Sequence, residues 1–285
     1  MTTLDSKQYK EAERQKWDSV ASGWQKWWKI IERGTGKLSI RLIELAEIKL
    51  GSRVLDISTG IGEPAITAAT QMGKSGQILA TDISPQMLSI AKKRAMSLGL
   101  ENMIEFREGD TEIIDLPAST FDAAVCRAGL MFLPDLNAGL LNIYQSLVNG
   151  GHFAAAVWAS PDKVPFISVV MNTVMKETNS PPPPPGTPGP FSLSDEDSLK
   201  DSFIAAGFKD LTIERMNVSF DFDSADDLTD FVLETAGPVQ TILANQTQER
   251  RREILKAITE AAMEYADDTG RVSFDNEAIL IVGKK

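Results

Sequence analysis

Residues able to do chemistry cluster first in Val54-Leu55-Asp56-Ile57-Ser58-Thr59-Gly60-Ile61-Gly62-Glu63-Pro64. The run reads as a buried strand, a glycine turn and the start of a helix. A helix opening on such a turn offers backbone N–H groups and a positive dipole end to an anionic ligand group. Gly60 and Gly62 let the chain turn sharply and approach a ligand without a Cβ. Pro64 suits a first helical turn, where its missing N–H costs nothing. The unusual member is Asp56, a carboxylate closing an apolar strand. Facing the turn, it would repel a pyrophosphate and attract an amino group or a sulfonium.

Two ligand classes use this arrangement. Gly60, Gly62 and Ala65 satisfy the dinucleotide spacing G-x-G-x-x-G/A, with Asp82 following at about the right interval. S-adenosylmethionine is the other, since it carries a sulfonium, an ammonium and a carboxylate. Further carboxylates fall at the ends of later apolar runs. Gly76 to Asp82 is a second strand, and Asp82 can accept hydrogen bonds from ribose hydroxyls. Ile83 follows it, Ser84 caps a helix with Pro85 at its first position, and Gly99 stops it. Met87 is placed to cover an adenine face. A third strand, Ile104 to Glu108, ends in Gly109-Asp110-Thr111, whose carboxylate can accept from an exocyclic amine. Phe121 to Cys126 is a fourth, followed by Arg127-Ala128-Gly129-Leu130-Met131-Phe132.

Together these residues resemble the class I S-adenosylmethionine-dependent methyltransferases. The likeness rests on Val54 to Gly62, Asp82 to Met87, Gly109-Asp110, the strand before Arg127, and Leu147-Val148-Asn149-Gly150-Gly151-His152-Phe153. Within that superfamily the chain is most similar to the ubiquinone/menaquinone biosynthesis branch, although Ser58 stands at the family's first glycine position. The resemblance implies an α/β, Rossmann-like, seven-stranded, mostly parallel sheet. Its strand order would be 3-2-1-4-5-7-6, with strand seven antiparallel, helices on both faces and a helical cap. It implies a donor site of Asp56, Ser58, Thr59, Gly60, Gly62, Asp82, Ile83, Met87, Gly109, Asp110, Thr111 and Arg127. S-adenosylmethionine would be the cofactor, S-adenosylhomocysteine the product, and no metal would be needed. Arg127 can lend its backbone to the donor, hold an acidic acceptor, or form a salt bridge.

These elements divide the chain into an N-terminal helical lid (1–48), a core (49–222 and 270–285) with a Pro-rich crossover at 160–190, and a helical cap (223–269). In the lid, Trp17, Trp24 and Trp28 fall within roughly 40° of one another at about 100° per residue, and Gly23 is a candidate break between two helices. The stripe reads as a core-packing face, as a lid lining an apolar acceptor pocket, or as a membrane-surface contact. Residues 1–41 carry nine Lys/Arg against five Asp/Glu, which suits an anionic surface. The acceptor pocket is expected at Trp24, Trp28, Met131, Phe132 and Trp158.

No general base is evident. The sole histidine, His152, begins the fifth strand, at the end opposite the ligand edge. Cys126 reads as a buried core thiol. Methyl transfer from a sulfonium needs alignment and exclusion of water, so catalysis mainly by orientation is expected on a small-molecule acceptor, with an apolar, quinone-like or natural-product-like one as a candidate class. The missing base favours an acceptor already nucleophilic (an amine, a thiolate, a carboxylate or a ring carbon activated by its own phenolate), and an acidic side chain or bound water is the alternative base. A nicotinamide-dependent oxidoreductase and a non-catalytic donor-binding module remain the alternatives. The net charge of −11 disfavours nucleic acid as a partner. One cysteine permits no intrachain disulfide, and the first residues lack an apolar leader run, so a cytoplasmic location is expected. Oligomeric state is not encoded in these patterns.

Overall fold

The computed structural model describes residues 5–184 and 186–285; Met1 to Leu4 and Pro185 of the polyproline stretch lie outside the described residues. The chain opens with helix α1 (Ser6–Leu45), capped by Asp5, and then alternates strands and helices. In order these are β1 (Arg53–Ile57), α2 (Ala65–Met72), β2 (Gln77–Asp82), α3 (Pro85–Ser97), β3 (Ile104–Glu108), β4 (Phe121–Arg127), α4 (Leu136–Ser146) and β5 (Leu147–Trp158). There follow α5 (Pro165–Thr178), α6 (Glu196–Ala205), β6 (Lys209–Phe222), α7 (Ala225–Thr235), α8 (Gly237–Ala244), α9 (Gln248–Ala262) and β7 (Val272–Lys284).

The strands form one sheet in the order β3-β2-β1-β4-β5-β7-β6, as the resemblance implied. β1 to β5 are mutually parallel, and β7 runs antiparallel to both neighbours. The central strands are apolar on both faces, as a sheet covered by helices on both sides requires: Val54 to Ile57 and Phe153 to Val157 are nearly inaccessible. All five parallel strands therefore end at one edge, where their loops gather. His152 pairs with Ala123 and Lys284 at the other end, as the sequence suggested.

β7 runs on past the end of β5. Its register on β5 ends at Trp158–Ala278, while its pairing with β6 continues from Glu277 to Val272. A two-stranded extension thus rises past the ligand edge, carrying Phe220. Helices α5 and α7 pack against the β6–β7 pair, and α9 packs on both helices and completes the cap.

Two expectations need correction. Gly23 does not break the N-terminal helix, which runs unbroken for 40 residues. The glycine serves close approach instead: a Cβ there would lie 2.0 Å from the Glu234 carbonyl oxygen at the end of α7. The stretch 160–190 is also more than a crossover, since its residues 165–178 are helical and packed on α9. Among the described residues, no helix is long and apolar enough to cross a membrane.

Candidate active site

A cavity of about 310 Å³ lies at the carboxyl edge of the sheet, beneath α1 and the cap. The ends of β1, β2, β3 and β4 form its polar side and aromatic residues form the rest. Ser58, Thr59, Gly60, Asp82, Ile83, Met87, Gly109, Asp110, Thr111 and Arg127 all line it. These positions come from four strand ends separated in sequence and brought together by the parallel topology.

The glycine turn holds itself together. Thr59 N–H bonds the Thr81 carbonyl at 2.9 Å and Gly60 N–H bonds Asp82 Oδ2 at 2.8 Å. The N–H groups of Gly62 and Glu63 both bond the Thr59 carbonyl, at 2.9 and 3.0 Å. Most of the turn's donors are thus used inside the protein, so the expected bare anion cradle is largely occupied. Ser58 occupies the left-handed region (φ 55°), where a non-glycine residue is strained.

Asp56 corrects the sequence reading. Its carboxylate is fully buried and lies outside the cavity wall. Oδ2 accepts from Thr59 Oγ1 at 2.6 Å and from Ala65 N at 2.9 Å, which caps α2 from below. Oδ1 has no partner among the described residues. Desolvation outweighs these bonds and pushes its pKa up to about 7. Asp56 shapes the turn from behind the cavity wall. Gly62 is likewise behind the wall, packed against Ile66 and Ala91.

Asp82 does face the cavity. Its Oδ1 accepts from Ser84 N at 2.9 Å, and burial raises its pKa to about 6 against the pull of the Ser84 and Gly60 N–H groups. Asp110 is paired with Lys10 at 2.8 Å, and Lys10 also bonds Glu112. The Arg127 guanidinium is held on α1 by Glu32 at 2.8 Å and Ser39 Oγ at 2.9 Å, so the salt-bridge role holds for its side chain. Glu63 lines the cavity too, with Thr67 Oγ1 at 2.7 Å and Arg94 at 3.3 Å, and its carboxyl is pushed up by burial. Cys126 is buried beneath, its thiol raised to about 12 by desolvation, which leaves it an unreactive core group.

α1 supplies the roof. Tyr9, Glu13, Trp17 and Trp24 look inward at spacings of four, four and seven residues. Burial, with the Glu13 carboxylate beside it, pushes the Tyr9 phenol well above its ordinary range. The first two were missed although they continue the tryptophan stripe toward the N-terminus. Trp17 stands edge-on to Phe132 at 5.4 Å and to Trp24 at 5.8 Å. Trp24 Nε1 donates to the Thr235 carbonyl at 3.2 Å, and Trp27 Nε1 donates to Glu234 at 2.8 Å, which stitches α1 to α7. Trp28 departs from expectation. It is 37% exposed, lies outside the cavity and packs under Arg94 at 5.0 Å. It sits roughly 60° round the helix from the centre of the lining face, enough to reach α3 instead. Trp17 and Trp24 turn inward, while Trp28 stays on the outer side of the helix.

The far end of the cavity is an aromatic box. Trp158 lies 6.4 Å from Phe220, Phe166 stacks on Phe220 at 4.2 Å, and Phe231 meets Phe166 edge-on at 5.7 Å. Trp158, Trp24 and Phe132 were expected in the wall. Phe166, Phe220 and Phe231 were not, because α5 and the β6–β7 extension carry no local mark of their position. Met131 is buried outside the wall, and its carbonyl anchors the crossover by accepting from Ser192 Oγ at 2.7 Å and Gly189 N at 2.9 Å.

Residues 54–151 match the family described as "Methyltransferase domain". A ubiquinone/menaquinone biosynthesis C-methyltransferase of Pseudomonas putida is 30% identical over 119 residues, covering 42% of this chain and 46% of that protein. A demethylmenaquinone methyltransferase of Bacteroides fragilis is 30% identical over 114 residues, covering 40% and 46%. Among solved structures, the YcgJ protein of Bacillus subtilis superposes with a TM-score of 0.57 at 19% identity, covering 88% of this chain and 98% of that one. A phosphoethanolamine N-methyltransferase 2 of Haemonchus contortus gives 0.54 at 18%, covering 87% and 52%. Residues 54–151 are thus similar to a methyltransferase domain, and the solved structures share the fold of the whole chain. The alignment spans less than half the length of these curated relatives.

Proposed function

We propose that this protein transfers the methyl group of S-adenosylmethionine to a small, flat, apolar acceptor held in the aromatic box. The observation that carries the reading is the continuity of the cavity, which joins a polar side built from four strand ends to an uncharged aromatic end under one roof. In this reading Asp82 receives the ribose hydroxyls, Asp110 lies toward the adenine amine, and Ile83 and Met87 flank the ring. Trp24, Phe132, Trp158, Phe166, Phe220 and Phe231 shape the acceptor end. A nicotinamide dinucleotide is less well served, because its pyrophosphate needs the turn N–H groups that Thr81, Asp82 and Thr59 already engage.

The transfer is an in-line displacement. The acceptor's lone pair or carbanion forms the new bond to the methyl carbon while the carbon–sulfur pair returns to sulfur, leaving neutral S-adenosylhomocysteine. The sulfur leaves without a proton. Alignment of nucleophile, methyl and sulfur can supply on the order of 7–11 kcal/mol, and the roof excludes water. The aromatic box carries no carboxylate or imidazole, which favours acceptors that arrive already nucleophilic, such as a ring carbon activated by its own phenolate. The test is transfer of label from methyl-labelled S-adenosylmethionine to a panel of hydroquinones, phenols, amines and carboxylates. Label on an apolar aromatic acceptor, reduced at least tenfold by Phe166→Ala, is the expected result. Label only on charged aliphatic amines would contradict it.

A further inference from the structure

Asn276 is the polar member of an otherwise apolar series. Where β7 rises past the sheet edge its buried positions alternate as Val272, Phe274 and Asn276, followed by Ala278. A buried amide is costly unless its polar atoms find partners, and this one is satisfied on both sides. Nδ2 donates to the Val218 carbonyl at 3.1 Å and to the Phe274 carbonyl at 2.9 Å, and Oδ1 accepts from Phe166 N at 3.0 Å. Two carbonyls and one N–H demand two donors and one acceptor from one short side chain. Asparagine supplies that set; leucine and ionised aspartate do not.

The Phe166 bond reaches from β7 to the second residue of α5, 110 positions earlier in the chain. The first N–H groups of a helix have no partner within it. α5 begins at Pro165, and the side chain of Val164 before it makes no capping bond. Asn276 therefore caps α5 from another element. The residue it holds is a wall of the aromatic box: Phe166 stacks on Phe220 at 4.2 Å and 11°, and meets Phe231 edge-on. Ile167, Val170 and Met171 of the same helix also line the cavity, whereas Asn276 lies behind the wall. Resting on the acceptor-site reading above, we infer that Asn276 is a positioning residue for the acceptor. It fixes the start of α5 and, through Phe166, the slot that receives a flat ring. The donor side is built on the ends of β1 to β4, none of which Asn276 bonds.

The experiment titrates the wild type, N276A, N276D and the double variant V164T/N276A with two probes. Quenching of tryptophan fluorescence by 1,4-naphthoquinone reads the box, and isothermal titration with S-adenosylhomocysteine reads the donor side. A buried group left without its partner corresponds to roughly a 5- to 100-fold effect. N276A should bind naphthoquinone at least fivefold more weakly, with S-adenosylhomocysteine affinity unchanged within twofold. Exchange of the Phe166 amide proton, followed by NMR, should quicken at least fivefold. N276D keeps an oxygen for Phe166 and loses donors to the two carbonyls. It should melt lower, yet keep the Phe166 amide protected and hold naphthoquinone within threefold of the wild type; it decides the matter if N276A does not fold. V164T supplies a local cap hydroxyl to the same turn, so the double variant should recover most of the naphthoquinone affinity. Equal losses for both probes, an unprotected Phe166 amide in N276D, or no recovery in the double variant would overturn the positioning role. A wild type that binds S-adenosylhomocysteine but not naphthoquinone would overturn the acceptor-site reading, and the role of Asn276 toward an acceptor with it, while the Phe166 exchange rate still reports the cap.

Discussion

Replacing Asp56 by Asn removes a buried charge while keeping an oxygen able to accept from Thr59 Oγ1 and Ala65 N. The folded protein raises this carboxyl from 3.8 to about 7. At roughly 1.4 kcal/mol per pH unit, that rise corresponds to about 4 kcal/mol favouring the protonated form, as an order of magnitude. The sign follows from proton counts. Between the two values the unfolded chain has lost the proton that the folded protein keeps, so stability falls as pH rises. The contribution is complete below about 3.8 and is lost as pH climbs through about 7. Asp56→Asn is neutral throughout and lacks this slope. Between pH 5 and pH 8 it should gain about 2–3 kcal/mol relative to the wild type, or roughly 4–10 °C in melting temperature. The assay is thermal unfolding of the two ligand-free proteins across that range. Donor affinity, measured alongside at pH 7, should stay within about threefold because the carboxylate does not line the cavity. Parallel melting curves would refute the coupling of Asp56 to folding. A hundredfold loss of donor affinity with an unchanged pH profile would show that Asp56 contacts the ligand after all.

Trp24→Ala should weaken acceptor turnover at least tenfold, because Trp24 lines the cavity and ties α1 to Thr235, whereas Trp28→Ala should leave turnover within about twofold and cost at most ~1 kcal/mol from its contact with Arg94. Steady-state rates and melting temperatures of the pair separate the two roles. Gly23→Ala places a Cβ 2.0 Å from a backbone oxygen of α7. Overpacking of this kind costs about 1–3 kcal/mol, and limited proteolysis should then cut α1 faster than in the wild type; an unchanged cleavage rate would mean that the roof does not depend on this contact.

The legibility of this molecule in its sequence differs from element to element. The sheet order came through the resemblance alone, and local marks at the strand ends carried that resemblance: Asp56 with the glycine turn, Asp82 before the Ser84 cap, and Gly109-Asp110. Ser84 at the start of α3 and Asp195 at the start of α6 are caps whose side chains act on the N–H three residues on, a local interaction that sequence spacing reveals. The direction of Asp56 was not accessible. A carboxylate at a strand end can point up to a ligand or down to the following helix, and only the packed turn decides. Gly23 looked like a helix break because the close passage of Glu234 is a contact between residues about two hundred positions apart. The tryptophan stripe gave the right face of α1, yet an angle alone could not tell that Trp28 reaches Arg94. Phe166, Phe220 and Phe231 converge through tertiary structure only, and a proline-rich neighbourhood concealed α5.

The reading of the cavity's polar side as the S-adenosylmethionine site rests on Asp82. It is tested most directly by isothermal titration of the wild type and of Asp82→Asn with S-adenosylmethionine and, separately, with NAD⁺ and NADH. Asp82 faces the cavity with one backbone N–H on each oxygen. One S-adenosylmethionine should bind per chain, at least tenfold more weakly in Asp82→Asn, with no heat from either nicotinamide nucleotide. Saturable binding of NAD⁺ or NADH with none of S-adenosylmethionine would contradict it.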